Sequence, residues 1–335
     1  MCSSDLTHTA SHVPVLPMEV LAALSPRPGE TYADATAGLG GHADLIAPHL
    51  SPGGCVVLND VDPGNLVRAS AAVAAAAPGV KVEQLTGNFA DMPRKLGATP
   101  VDMVLADLGF SSNQMEDGSR GLSFMREGPL DMRLDPTLPT TAADLVNSLS
   151  EDELTRILRE YGEEMGAGRI ARKVVLERTR SPITSTTRFA EIVRTSLGLP
   201  KGPRNGPIDP ATRAFQALRI AVNDELGSLE ALLAGVGRAA RSRKSSGPIE
   251  QGAGGWLSPG ARVAIICFHS LEDRIVKRAF AELVAAGVAE FVGKKGVGRG
   301  GGPVEASESE VGRNPRSRSA KMRCIRIGGG VGSNA

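Results

Sequence analysis

The chain reads as an α/β protein, a mostly parallel Rossmann-like sheet interrupted by an all-helical insertion. Three observations predict this. Strand-like apolar runs reach polar or glycine ends at Asp34, Asp60, Gly87 and Asp107, spaced 20 to 30 residues apart with helical segments between them. After residue 112 the alternation stops, and only turns and helices follow to about residue 208. A long helix and further strand patterns then bring the sheet back, so the expected boundaries are 1–112 with 209–335 for the sheet domain and 113–208 for the insertion.

Residues 12–16 lead into a short helix at 19–24, which Ser-Pro-Arg-Pro-Gly ends. The first strand closes at Asp34, and Gly38, Gly40 and Gly41 precede a helix carrying Leu45 and Ile46. Glycines in such a turn let a ligand approach backbone N–H groups where a Cβ would block it. A dinucleotide site would want G-x-G-x-x-G aimed at a pyrophosphate. The spacing here is D-x-x-x-G-x-G-G, and the Asp34 carboxylate would repel a pyrophosphate and suit a cationic ligand.

The second strand, 55–58, stops at Asn59-Asp60. Asp60 follows Gly40 by 20 residues, about the separation at which a second-strand acid reaches a ribose diol. The other readings are a solvated loop acid or an N-cap for the helix around 65–77. The third strand, 80–85, ends at Gly87-Asn88-Phe89, which places a ring where it can stack on adenine. The fourth, 101–106, delivers Asp107-Leu108-Gly109-Phe110-Ser111-Ser112.

Inside the insertion, Ser150 and Glu153 form a capping box ahead of Leu154, Ile157, Leu158 and Tyr161. A second helix is expected at 169–180, and Phe189, Ile192 and Val193 carry a third. Past the Gly/Pro-rich stretch 198–210, Asp209-Pro210 supplies an N-cap and first-turn proline. The stripe Phe215, Leu218, Val222, Leu226, Leu229 and Leu233 is expected to pack on the sheet. The Ser/Gly/Arg-rich stretch 235–255 reads as a mobile loop, 262–268 as a fifth strand and 324–327 as the last.

Aromatic residues make up only 3% of the chain, which argues against a broad stacking surface for single strands. The net charge of +1 hides an asymmetry: residues 291–327 hold nine Lys or Arg against three Glu, which points to a polyanionic partner. Cys2, Cys55, Cys267 and Cys324 show neither C-x-x-C nor zinc spacing, so no metal is expected, and the last three read as reduced core residues. With no run of about 18 apolar residues and no leader pattern, the protein is expected to be intracellular and off the membrane. That places it in the cytoplasm, or in a mitochondrion or plastid if the source is eukaryotic.

Several stretches in one order resemble a single family. These are 12–16, 34–42, 107–114, 120–134, Tyr161-Gly162-Glu163-Glu164, Pro210-Ala211-Thr212-Arg213 with Phe215-Gln216-Ala217, 268–274 and 314–323. Together they are similar to the bacterial and organellar small-subunit ribosomal RNA cytosine-N4 methyltransferases, the RsmH or MraW group. The resemblance implies a class I S-adenosylmethionine-dependent methyltransferase fold, with the helical insertion recognising RNA. It implies S-adenosyl-L-methionine as cofactor, bound by Gly40, Gly41, His42, Asp60, Phe89, Asp107 and Gln114. The implied reaction is methylation of a cytosine N4 in the decoding region of small-subunit ribosomal RNA, free or in the assembled subunit, and a homodimer is compatible with it. Asn113 stands where the family usually has proline and Asp209 where it usually has histidine. The rival reading is a catalytically silent RNA-binding assembly factor on the same fold.

The cytosine amine is a poor nucleophile because its lone pair is delocalised, so acceptors that hold it in line matter more than a strong base. Asp107, Ser111 and Ser112 are the candidates, although both serines read equally well as a turn satisfying its own backbone. Phe110 sits where a flipped base would stack. Arg133, Arg213, Arg219, His269, Arg274, Arg316 and Arg318 are the candidate phosphate anchors.

Overall fold

The computed structural model describes residues 13–97, 99–200, 202, 209–242, 255–293, 296–297 and 301–328. The chain forms two compact units, Met1–Gly109 with Glu230–Ala335 and, between them in sequence, Phe110–Leu229.

The first unit opens with α1 (Pro17–Leu24), β1 (Thr31–Asp34), α2 (Gly41–Ile46), β2 (Cys55–Asp60), α3 (Pro63–Ala76), β3 (Lys81–Thr86), α4 (Met92–Leu96) and β4 (Val101–Asp107). Runs such as Val56-Val57-Leu58 and Val104-Leu105-Ala106 are buried along their whole length, as strands covered on both faces must be. α3 starts where Asp62 accepts a hydrogen bond from Gly64 N and Pro63 fills the first turn. That removes the N-cap reading of Asp60.

The second unit holds α5 (Ser112–Glu116), α6 (Ala142–Ser148), α7 (Glu151–Glu160), α8 (Ala167–Arg178), α9 (Thr186–Ser196) and α10 (Pro210–Asn223). Ser150 and Glu153 cap α7 reciprocally. Asp209 caps α10 through Ala211 N and holds Arg194 Nε at 2.9 Å. Phe124, Phe189 and Phe215 pack ring against ring in this unit's core, which also takes in Ala214 and Leu218.

Here the structure departs from the expected long helix on the sheet. Asp224 adopts a left-handed conformation (φ 47°, ψ 47°) and ends α10, after which α11 (Glu225–Ser242) begins. The break divides the apolar stripe, so Phe215 and Leu218 pack against α7 and α9 within the helical unit. The expected loop is also helical through Ser242, because Val236, Ala239 and Ala240 are buried. Its remainder, 243–254, lies outside the described residues.

The chain then returns to the sheet unit with β5 (Leu257–Cys267), α12 (Ser270–Ala285), β6 (Ala289–Gly293), β7 (Gly296–Val297), β8 (Val304–Glu305), α13 (Glu308–Arg313) and β9 (Lys321–Ile327). Among the described residues the sheet runs β3-β2-β1-β4-β5-β9-β6-β7, with β8 paired to β9. β3 to β5 are mutually parallel, and β9 lies antiparallel between β5 and β6. The order reverses between β1 and β4, where doubly wound sheets open a crevice at their carboxyl ends. Cys267 and Cys324 are buried and Cys55 half-buried, all as free thiols, and Cys2 lies outside the described residues. No described helix is long and apolar enough to cross a membrane.

Candidate ligand site at the strand ends

Three carboxyls gather at the carboxyl ends of β1, β2 and β4, and each is held by a different local device. Asp34, 2% exposed, accepts from Tyr32 Oη at 2.9 Å and from Thr36 N at 3.1 Å. Burial raises its pKa to about 6, against the lowering effect of those two bonds. Asp60 accepts from Gly38 N and from Asp62 N, each at 2.8 Å, and Asn65 Nδ2 lies 3.4 Å from both oxygens. Burial, then the Asp62 charge, pushes it up against those bonds. The predicted ribose acid therefore also fixes the glycine loop, binding the backbone of Gly38.

Asp107 is the least satisfied of the three. Its backbone N–H donates to Thr36 Oγ1 at 2.7 Å, but its buried Oδ1 has no hydrogen-bond partner. Burial first, then the charges of Asp34 and Glu272, raise its pKa to about 8. The basic group beside it is His42, whose Nδ1 lies 3.7 Å from Asp107 Oδ2. His42 is buried, with Nε2 2.8 Å from the Val15 carbonyl.

Gly40 caps α2 at φ 89°, and a Cβ there would lie 2.8 Å from the Ala69 Cα, so only glycine lets the loop lie against α3. Gly41 follows as the first residue of α2, and Phe89 is half-buried on a short 3₁₀ turn after β3. Thus Gly40, Gly41, His42, Asp60, Phe89 and Asp107 lie at the carboxyl ends of β1 to β4 or in the turns and the helix that directly follow them. Sequence reasoning missed Asn59, which donates to Ala35 O at 2.9 Å and to Gly87 O at 3.1 Å and so ties the loops after β1 and β3 together. A polar residue ending an otherwise apolar strand was the available signal.

A cleft of about 850 Å³ lies elsewhere in this unit, among α1, Glu30, Asp102, Arg262 and Arg326. It sits at the amino ends of β1 and β4. Arg262 there is committed to both oxygens of Glu30 and to the Leu24 carbonyl. Nothing in that cleft matches the unsatisfied acid at the other end, which we take as the functional site.

In the helical unit, Gln114 is buried and its Oε1 accepts from Ser111 N at 3.0 Å. Ser111 Oγ donates to Asn113 Oδ1 at 2.6 Å, which is the self-satisfied turn of the alternative reading. Ser112 begins α5, and its side chain lies outside the described residues. The expected base-stacking face of Phe110 carries the Arg219 guanidinium 4.9 Å from its ring centre.

The candidate phosphate anchors separate into two groups. Arg133 binds both oxygens of Asp131 at 2.8 Å and the carbonyls of Pro136 and Leu138, so it holds its own turn. Arg219 binds Glu225 through two nitrogens, at 2.8 and 3.0 Å. His269 caps α12, with Nδ1 3.4 Å from Glu272 N and Nε2 3.1 Å from Glu272 Oε1. Arg133 and Arg219 are corrections to the sequence reading, each side chain being spent within the fold, whereas the buried Nε2 of His269 makes no hydrogen bond. Arg213, Arg274, Arg316 and Arg318 are exposed.

Comparison with known proteins places these features in context. Residues 9–327 match the MraW methylase family. Three similar proteins carry the name ribosomal RNA small subunit methyltransferase H. The one from Geobacter sulfurreducens is 44% identical over 94% of this chain and 98% of its own length. That from Pelobacter propionicus is 45% identical over 94% and 97%, and that from Deinococcus radiodurans 44% over 94% and 89%.

Proposed function

The chain belongs to the MraW methylase family, and from that premise we propose that it transfers a methyl group from S-adenosylmethionine to the exocyclic N4 of a cytosine in the decoding region of small-subunit ribosomal RNA. The observation that carries this reading is the buried Asp107 Oδ1 without a partner, beside Asp34. A buried unsatisfied acceptor costs on the order of 1–3 kcal/mol. A ligand bringing positive charge and N–H groups offsets that cost and lets the carboxyls ionise. A pyrophosphate would worsen it. A silent assembly factor has no use for such an acid.

Gly40, Gly41 and His42, with Asp60, Phe89 and Asp107, are the residues we assign to the donor. When bound, the donor supplies a methyl group activated on a sulfonium. Asp107 then serves the reacting amine: its carboxylate accepts an N–H hydrogen bond, which fixes the direction of the nitrogen lone pair and stabilises positive charge growing on N4. The Asp107 side chain is 24% exposed, open enough to be reached yet screened less than in bulk water, which strengthens that interaction.

The helical unit and the exposed Arg213, Arg274, Arg316 and Arg318 are assigned to RNA contacts, with small-subunit ribosomal RNA or the assembled subunit as partner and the cytoplasm as the setting. A flipped base inside structured RNA needs phosphate contacts on both sides. The test is a transfer assay with tritium-labelled methyl donor on small-subunit RNA and on assembled subunits, followed by nucleoside analysis. N4-methylcytidine is expected from the wild type, with at least a 100-fold slower rate for Asp107→Asn. Calorimetric binding of the donor without any labelled N4-methylcytidine on either substrate would refute the substrate assignment, and no donor binding at all would refute the whole reading.

A further inference from the structure

The transfer step above leaves the ring of the acceptor base without a seat, and the strand register shows where one exists. Side chains along a strand alternate between the two faces of a sheet. Leu105 of β4 and Ala264 and Ile266 of β5 share one buried core, so Asp107, two residues after Leu105, and Phe268, two residues after Ile266, continue the same face. Asp107 pairs with Ile266, and Leu108 N donates to the Ile266 carbonyl at 3.0 Å, which brings Gly109 level with Phe268. A Cβ on Gly109 would accordingly lie 4.0 Å from Phe268 Cδ2. Gly109 has φ 106°, a conformation that favours glycine, so residue 109 puts no side chain over that edge of the ring.

We propose that Phe268 is the platform on which the target cytosine stacks, with the turn Pro315–Ser319 holding a phosphate beside it. The order of the strands separates the two reactants. The donor loop with Gly40 and Gly41 follows β1, Asp107 ends the neighbouring β4, and Phe268 follows β5, one strand further from the donor. Asp107 therefore stands between the donor loop and the ring, where an amine that is both stacked and hydrogen-bonded has to be. The idea rests on the amine-methylation reading and names how that reaction's acceptor is held.

Phe268 is half-buried: it packs against the core on this face of the sheet and keeps part of its surface open. Other rings are committed elsewhere. Tyr32 is buried and donates to Asp34, Phe89 follows β3 on the donor side of the sheet, and the face of Phe110 carries the Arg219 guanidinium 4.9 Å from its centre. A pyrimidine that has left its helix loses its stacking neighbours, and an aromatic ring replaces them whatever the base. The choice of an amine then falls to Asp107, whose partly exposed carboxylate accepts from N–H and rejects a carbonyl oxygen.

The register of β9 supplies the phosphate contact. β9 runs antiparallel beside β5 with Lys321 opposite Cys267, so the residues just before Lys321 come alongside Phe268. They are Ala320 and the turn Pro315–Ser319. Ser317 is buried and its Oγ donates to Asn314 O at 2.8 Å, while Asn314 Nδ2 donates to Val13 O at 3.2 Å. The turn is thereby fixed, and Arg316 and Arg318 are exposed on it. A ring with guanidinium groups on a fixed turn next to it matches one extruded nucleotide, its base on Phe268 and its phosphate on the turn.

Two variants separate this role from a merely structural one. Phe268→Leu keeps an apolar side chain against the core and removes the π-face, and Phe268→Tyr restores it. Methylation of small-subunit RNA and of assembled subunits is measured as kcat/KM, with donor affinity by calorimetry. For Phe268→Leu the expected result is kcat/KM at least tenfold lower, donor affinity within about threefold of wild type and an unchanged salt slope of RNA binding, since the phosphate contacts remain. Phe268→Tyr should recover kcat/KM to within about threefold. Wild-type efficiency in Phe268→Leu would overturn the proposal, as would a loss matched by lost donor affinity or a Tyr variant no better than Leu. A second measurement does not depend on any variant's folding: subunits reconstituted with 5-iodocytidine at the methylated position are irradiated with the wild-type protein. The crosslinked peptide should contain Phe268, and a crosslink confined to other residues, or none, would also overturn it. Wild-type protein that binds donor yet forms no N4-methylcytidine would fail the parent reading instead, a result recognisable before any variant is compared.

Discussion

Two arginines that look equivalent in sequence should behave in opposite ways. Arg133 binds Asp131 in a fork, Nε to Oδ1 and Nη2 to Oδ2 at 2.8 Å each, and Nη1 donates to Leu138 O at 2.7 Å and Pro136 O at 3.2 Å. Burial raises the pKa of Asp131, but hydrogen bonds from Arg133 more than offset this and hold it below the ordinary range. Hydrogen bonds to charged groups contribute about 1.5–3 kcal/mol when buried, and the two side chains here remain about a quarter exposed. Arg133→Ala should therefore destabilise the helical unit by about 2 kcal/mol, read from urea unfolding. Arg318, exposed on the turn Pro315–Ser319, should cost less than about 0.5 kcal/mol as Ala. In RNA binding across a salt series the order reverses. Arg318→Ala should reduce the slope of log K against log salt by about 0.7–0.9, and folded Arg133→Ala should leave it unchanged. A reduced slope for Arg133→Ala at unchanged stability would refute the assignment.

The acid cluster predicts a pH dependence with a definite sign. Asp107 at about 8 and Asp34 at about 6 both lie above their unfolded values, so the native state keeps protons that the unfolded chain has shed. Stability is fullest below about pH 4 for these two groups and declines as pH rises through 6 and 8; Asp107→Asn should flatten the decline between pH 6 and 9 in urea midpoints. Gly40→Ala must place a Cβ 2.8 Å from the Ala69 Cα at φ 89°, so donor affinity by calorimetry should fall at least tenfold. Asn59→Ala frees the carbonyls of Ala35 and Gly87, and should cost about 1–3 kcal/mol with faster amide exchange in the loops after β1 and β3.

Strand ends were legible because parallel strands announce themselves: each is a short apolar run, and the polar residue that ends it marks the carboxyl edge. Asp34, Asp60 and Asp107 were found this way. The antiparallel β6, β7 and β8 were missed because glycine-rich sequence around them carries no alternation, and they owe their form to pairing along β9. The break at Asp224 was hidden by a stripe that keeps its period across it, and only the left-handed backbone there divides the helix. Arg219 looked exposed for a related reason, since its partner Glu225 lies six residues on and beyond that break. Ion pairs across a turn leave no periodic trace.

Asp34, Asp60 and Asp107 impose one more consequence. Among the described residues none of the three is ion-paired with lysine or arginine, and beyond burial the charge of Asp60 raises Asp34 while those of Asp34 and Glu272 raise Asp107. At neutral pH the site therefore holds protons that a bound cation would displace. Bringing the sulfonium and ammonium of the donor to these carboxyls lowers their pKa values, so binding must release protons in proportion to the charge delivered. Near pH 7 the release should approach one proton, carried mostly by Asp107. Calorimetry in buffers of different ionisation enthalpy measures it directly, as the slope of apparent enthalpy against buffer enthalpy. The demethylated product keeps the ammonium and lacks the sulfonium charge, so it should release fewer protons than the donor, and Asp107→Asn should remove most of the difference. A slope of zero for the donor at pH 7 would mean that its charge lies elsewhere than against these acids, and that the geometry at the ends of β1 and β4 has been assigned the wrong ligand.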